Sequence, residues 1–122
     1  MVEISASVLG LKETNAIKQL YDLEVSGIDY FHIDVMDGEF VKNNTVDRMV
    51  EYCEYLNSIS LLPLDVHLMV KDIKKFVNKF IVFEPNNITF HLEACKDENE
   101  VKELIKYIKN NKKFHIFGKP YV

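Results

Sequence analysis

The sequence is built on a strict alternation of short apolar β-rich runs with amphipathic helical stretches, and this restricts the fold more than any other feature. "ISASVLG" is a β-rich run closed by Gly10. "ETNAIKQLYDLEVSG" follows as a helix, with Ile17, Leu20, Tyr21 and Leu23 as a rough stripe and Gly27 at the stop position. "IDYFHIDVMDG" reads as a second strand ended by Asp37-Gly38. Thr45 stands where a cap belongs, and Val46, Met49, Val50 and Cys53 fall at i, i+3, i+4 and i+7. Pro63 opens a third strand, "LPLDVHLMV". Ile73, Phe76, Val77 and Phe80 mark a third helix, "NNITFHLEA" a fourth strand, "ENEVKELIKYIKNN" a fourth helix and "KKFHIFGKP" a fifth strand. Four β-α units and one more strand predict a parallel sheet with helices packed outside it. The strands read as apolar runs, which predicts cover on both faces. Such a sheet is either open or part of an eight-stranded (β/α)8 barrel of typically about 250 residues. Five strands cannot close that barrel.

Polar residues interrupt the apolar strands at regular spacing. Residues two apart share a face, so His32, Asp34 and Met36 stand together, as do Asp65, His67 and Met69, and Thr89, His91 and Glu93. If the faces of adjacent strands agree, His32, Asp34 and His67 meet near the C-terminal strand ends, where α/β proteins usually place chemistry. Two imidazoles and a carboxylate suit a divalent ion such as zinc, iron or manganese, which would compensate the buried charge of Asp34. The same spacing also suits a hydrogen-bonded structural pair with no ion. Met36 and Met69 fill space as core residues do, and Asp37-Gly38 reads as a turn in which Asp37 bonds nearby backbone. His91 and Glu93 could add ligands, though His91 reads more readily as a satisfied core histidine, and His115 is given no role. No G-x-S-x-G setting and no Gly-rich phosphate loop occurs.

Length and composition narrow the class. The 122 residues suffice for one domain; 48% are hydrophobic and 28% charged, as in ordinary globular proteins. The net charge of -4 and the scattered lysines offer no basic patch for nucleic acid. No run is long and apolar enough to span a bilayer, and "MVEISASVLG" has no signal-peptide pattern. Cys53 and Cys95 form no CxxC pair, which predicts reduced thiols and a cytoplasmic protein. Cys53 lies on the apolar helix stripe and is expected to pack there.

Read together, "ISASVLG", "FHIDVMDGEFVKN", "LPLDVHLMV" and "HLEAC" resemble the ribulose-phosphate 3-epimerases. The resemblance runs in order along the chain, including "GKP" near its end. It implies a (β/α)8 barrel and the interconversion of ribulose 5-phosphate and xylulose 5-phosphate through an enediolate. By position, His32, Asp34 and His67 match three ligands of a divalent metal (zinc, iron, manganese or cobalt). Asp34 also matches one of two acid/base carboxylates. Ser7 and His67 match substrate contacts, and Met36 and Met69 match methionines over the reacting carbons. Lys42 stands where the family usually has proline, and Lys12 where it has an acidic residue.

The resemblance also implies a second carboxylate, which is the fourth metal ligand, and a Gly-rich phosphate site, both on later strands. Strands 6 to 8 are therefore expected to be absent, with residues 1-122 forming a single partial barrel domain. Open first and fifth strands invite pairing with another chain, so a homo-oligomer, or association through the sheet edges, is expected. Other readings are a ketohexose 6-phosphate substrate, a metal- or partner-binding remnant without turnover, and half of a barrel completed by a separate chain.

Overall fold

The computed structural model describes residues 1–111. The predicted fifth strand and His115 lie outside these residues. Four strands, β1 (Ser5–Ser7), β2 (Tyr30–Met36), β3 (Leu64–Met69) and β4 (Asn87–Phe90), alternate with four helices, α1 (Ala16–Val25), α2 (Val46–Ile59), α3 (Ile73–Ile81) and α4 (Glu98–Asn110). Single 3-10 turns at Glu13–Asn15 and Leu92–Ala94 precede α1 and follow β4. The sheet is wholly parallel, in the order β1-β2-β3-β4. Each strand is added beside the last with no reversal. Right-handed crossovers repeated in one direction place every helix on the same side of the sheet.

The burial pattern follows from that one-sided winding. Phe31, Ile33 and Val35 of β2 and Leu64, Val66 and Leu68 of β3 are buried, in one cluster with Met49, Cys53 and Leu56 of α2 and Phe76, Val77 and Phe80 of α3. The intervening residues His32, Met36, Asp65, His67 and Met69 are only half-buried. The strands therefore alternate, in contrast to the expectation of two covered faces. Apolar side chains meet the helices and polar ones line the other side. Met36 and Met69 belong to that second face and not to the core under the helices.

The helices match the apolar pattern unevenly. In α3, Ile73, Phe76, Val77 and Phe80 are all buried, and Asp72 caps the first turn by accepting from the Lys75 amide at 3.2 Å. In α1 the inward residues are Ala16 and Leu20, whereas Ile17 and Tyr21 are 60% and 65% exposed. The stripe is rotated from the predicted one: Ala16, and not Ile17, joins the buried core. In α4, Leu104 and Ile108 are buried while Ile105 faces outward. Gly27 ends α1 at φ +91, a left-handed conformation that glycine adopts without strain.

The connection from β2 to α2 holds the end of β2 near the polar face. Thr45 precedes α2, but its hydroxyl does not cap the helix. It donates to the Asp34 carbonyl at 2.7 Å and accepts from the Met36 amide at 3.0 Å. The Val46 amide is taken by Asn44 Oδ1 instead. Strand β4 stops at Phe90, earlier than the predicted "NNITFHLEA", so Glu93 sits in the 3-10 turn and not on the strand.

Candidate metal and catalytic centre

Register brings the polar residues together. Across β2 and β3, His32 pairs with Asp65, Asp34 with His67 and Met36 with Met69. Across β1 and β2, Ser7 pairs with His32. Parallel partners on one face stand side by side, so the spacing of two read in each strand becomes a two-dimensional cluster.

Asp34 is its centre, at 8% exposure the one buried carboxylate among the described residues. Oδ2 accepts the Ser7 hydroxyl at 2.7 Å. Oδ1 lies 3.0 Å from Nε2 of His32 and 3.2 Å from Nδ1 of His67. Every oxygen of this enclosed carboxylate thus has a polar neighbour, as a buried charge requires. One ligand atom from each of His32, Asp34 and His67 falls within 4.8 Å of the others. Bonds of about 2.1 Å to a tetrahedral ion would separate neighbouring ligand atoms by about 3.4 Å. The observed separations of 3.0 and 3.2 Å need little adjustment to reach it. The nitrogen and oxygen donors suit zinc or a first-row neighbour.

The surroundings extend the cluster in both directions. Nδ1 of His32 meets Asp65 Oδ2 at 2.8 Å, and Ser5 Oγ donates to the same oxygen at 2.8 Å. Nε2 of His67 meets Nε2 of His91 at 2.8 Å, with the ring centroids 5.0 Å apart and the two planes 18° from parallel. Phe40 lies tilted against His91 at 5.5 Å between centroids. His91 is therefore satisfied, as expected, but it is half-buried beside the histidine pair and not in the core. Glu93 comes within 3.7 Å of His91, but its side chain is 75% exposed and stands apart from the three-residue group. Sequence reasoning placed Asp65 on the correct face without a role and left Ser5 unnoticed. The Ser-x-Ser spacing of β1, matched to Asp-x-His in β3, was the available signal.

Asp37 serves the backbone at the rim. Its Oδ1 accepts the amides of Glu39 and Phe40, each at 2.8 Å, and its Oδ2 accepts the Lys71 amide at 2.8 Å. Burial alone would raise its pKa, but these amides outweigh it and hold the carboxyl below its ordinary value. Gly38 turns the chain at φ +80. Asp37 thereby fixes the loop after β2 to the end of β3, as the predicted turn required and with a longer reach. Cys53 is fully buried, and burial pushes its thiol pKa up to about 12, consistent with a packing role.

Comparison with known proteins agrees with the motifs. The model of the Ribulose-phosphate 3 epimerase family matches residues 3–116. A protein of Methanocaldococcus jannaschii named ribulose-phosphate 3-epimerase is 36% identical over 108 residues, covering 88% of this chain and 44% of that protein. The protein of that name from Bacillus subtilis is 33% identical over 106 residues, covering 87% and 48%. A chloroplastic ribulose-5-phosphate-3-epimerase of Arabidopsis thaliana is 36% identical over 90 residues, covering 74% and 31%. The chain spans less than half the length of these relatives. Among the described residues, no helix is long and apolar enough to cross a membrane.

Proposed function

The chain belongs to the ribulose-phosphate 3-epimerase family, a family of (β/α)8 barrels of which it covers part, and on that premise we propose that it carries the metal-binding half of a pentulose-phosphate epimerase site. The substrate is ribulose 5-phosphate or xylulose 5-phosphate, and the reaction inverts one carbon by proton transfer. The observation that carries this reading is the convergence of Nε2 of His32 and Nδ1 of His67 on Oδ1 of Asp34.

His32, Asp34 and His67 hold the ion. When bound, the divalent metal would act as a Lewis acid that stabilises negative charge developing on the substrate oxygens. Asp34 has a double part. Its Oδ1, between the imidazoles, is the ligand oxygen. Its Oδ2, oriented by the Ser7 hydroxyl at 2.7 Å, takes the proton from the carbon beside the ketone. Ser7 and His67 contact the sugar. Met36 and Met69, register partners at the C-terminal ends of β2 and β3, cover the reacting carbons and keep water from them.

Inversion needs a second acid on the opposite face of the intermediate. The proposal assigns that acid and the phosphate site to the part of the barrel that the relatives have beyond the matched span. Residues 1-122 then form one partial barrel domain, completed by those further strands. Strands β1 and β4 each have a single partner among the described strands, and either further strands of the barrel or a second chain would pair their open edges. The protein works in the cytoplasm, without nucleic acid or membrane.

The test is proton exchange. Metal-loaded protein incubated with ribulose 5-phosphate in heavy water should place deuterium at the inverted carbon, and Asp34→Asn should abolish the exchange. Faster exchange into a ketohexose 6-phosphate would change the substrate assignment. Metal binding with no exchange into either sugar would favour a non-catalytic binding role and overturn the proposed activity.

A further inference from the structure

A histidine binds a metal through one ring nitrogen only when its proton sits on the other. In this site each imidazole of the proposed centre has its outward nitrogen engaged by a neighbouring strand or its end. Nδ1 of His32 lies 2.8 Å from Oδ2 of Asp65, and Nε2 of His67 lies 2.8 Å from Nε2 of His91. We propose that Asp65 and His91 are positioning residues that fix which nitrogen of His32 and of His67 faces Asp34. The inference rests on the metal-site reading given above and adds to it the control of ligand orientation.

The two partners differ in kind. An ionised carboxylate can only accept a hydrogen bond. Asp65 therefore requires the His32 proton on Nδ1 and leaves Nε2, the nitrogen 3.0 Å from Asp34, with its lone pair free. Asp65 is itself held by the hydroxyl of Ser5 at 2.8 Å. His91 can either give or accept. When the His67 proton is on Nε2, His91 accepts it and keeps its own proton on Nδ1, the nitrogen that faces Glu93 Oε2 at 3.7 Å. The contact with His67 and the tilted ring of Phe40, 5.5 Å away between centroids, hold His91 in place. The carboxylate thus dictates one tautomer, whereas the imidazole permits two. Loss of Asp65 should disturb the centre more than loss of His91.

Zn2+ is the probe, added to the purified protein and measured by competition with a chelator. Partners of this kind typically change metal affinity 10–100-fold, that is, by about one to two orders of magnitude. Asp65→Leu should weaken Zn2+ binding within that range, and Asp65→Asn, which keeps an accepting oxygen, should recover most of it. His91→Phe should weaken binding by less, and His91→Gln should restore it. Ring-nitrogen NMR of the Zn2+-loaded wild type, which needs no variant to fold, should show the His32 proton on Nδ1 and the His67 proton on Nε2. Equal losses in Asp65→Leu and Asp65→Asn, unchanged affinity in both, or a His32 proton on Nε2 would overturn the positioning role. A wild type that takes up no Zn2+ would overturn the metal reading and this inference together, whereas tight wild-type binding with unaffected variants would overturn the inference alone.

Discussion

Asp34 and His67 face each other as register partners across β2 and β3, with Nδ1 of His67 standing 3.2 Å from Oδ1 of Asp34. No turn or loop intervenes between them. The backbone ladder itself sets the separation, so the proposed centre is as rigid as the sheet. Removing one imidazole should leave this backbone intact and the ion with two ligands. His67→Ala is expected to lower Zn2+ affinity at least about 100-fold, more than the loss of an outer partner, with little change in secondary structure. Metal analysis after dialysis, alongside circular dichroism, checks both parts.

Thr45 ties the start of α2 to the end of β2 through one donated and one accepted hydrogen bond. Valine has nearly the same shape and can make neither. Thr45→Val should strand the Asp34 carbonyl and the Met36 amide and cost about 1–3 kcal/mol. Urea unfolding measures it. A loss below about 0.3 kcal/mol would mean that water replaces the hydroxyl.

The Asp37 carboxylate supports the rim only while ionised. Its pKa is lowered in the folded protein, so its contribution is present above the ordinary aspartate value of 3.8 and is lost as pH falls through the folded value. Asp37→Asn should cost about 1–2 kcal/mol at neutral pH. The gap to wild type should narrow in increasingly acidic buffer, as the wild-type carboxyl takes up a proton. Denaturant melts of both proteins across that range give the comparison.

Cys53 should resist alkylation in the native state, because its thiol is fully buried and its pKa is pushed up to about 12. Partly exposed Cys95 should label first. Mass spectrometry of protein treated with iodoacetamide, before and after adding denaturant, distinguishes the two sites.

Much of this arrangement was legible in the residues. The i, i+2 spacing in "HIDVM" and "DVHLM" put the imidazoles and the aspartate on shared faces, and parallel pairing then made them neighbours. The strand count of the described region and the four helices follow from the alternation of apolar periods. Other features depend on how elements meet in space. Nothing local to "TNAIKQLY" says that Ala16, and not Ile17, enters the core; packing against the neighbouring elements decides it. Thr45 carried a cap signature, yet the carbonyl end of β2 competed for its hydroxyl and won. The pairing of Asp65 with His32 depends on the register of β2 against β3, which the separation in sequence does not encode. His91 reads as a core residue until β4 is placed beside β3.

The most direct test of the centre is anomalous diffraction at the zinc edge from crystals of the protein equilibrated with Zn2+. The account predicts a peak about 2.0–2.2 Å from Nε2 of His32, Nδ1 of His67 and a carboxylate oxygen of Asp34. A map with no peak among these three side chains, or with zinc bound only elsewhere, would contradict it.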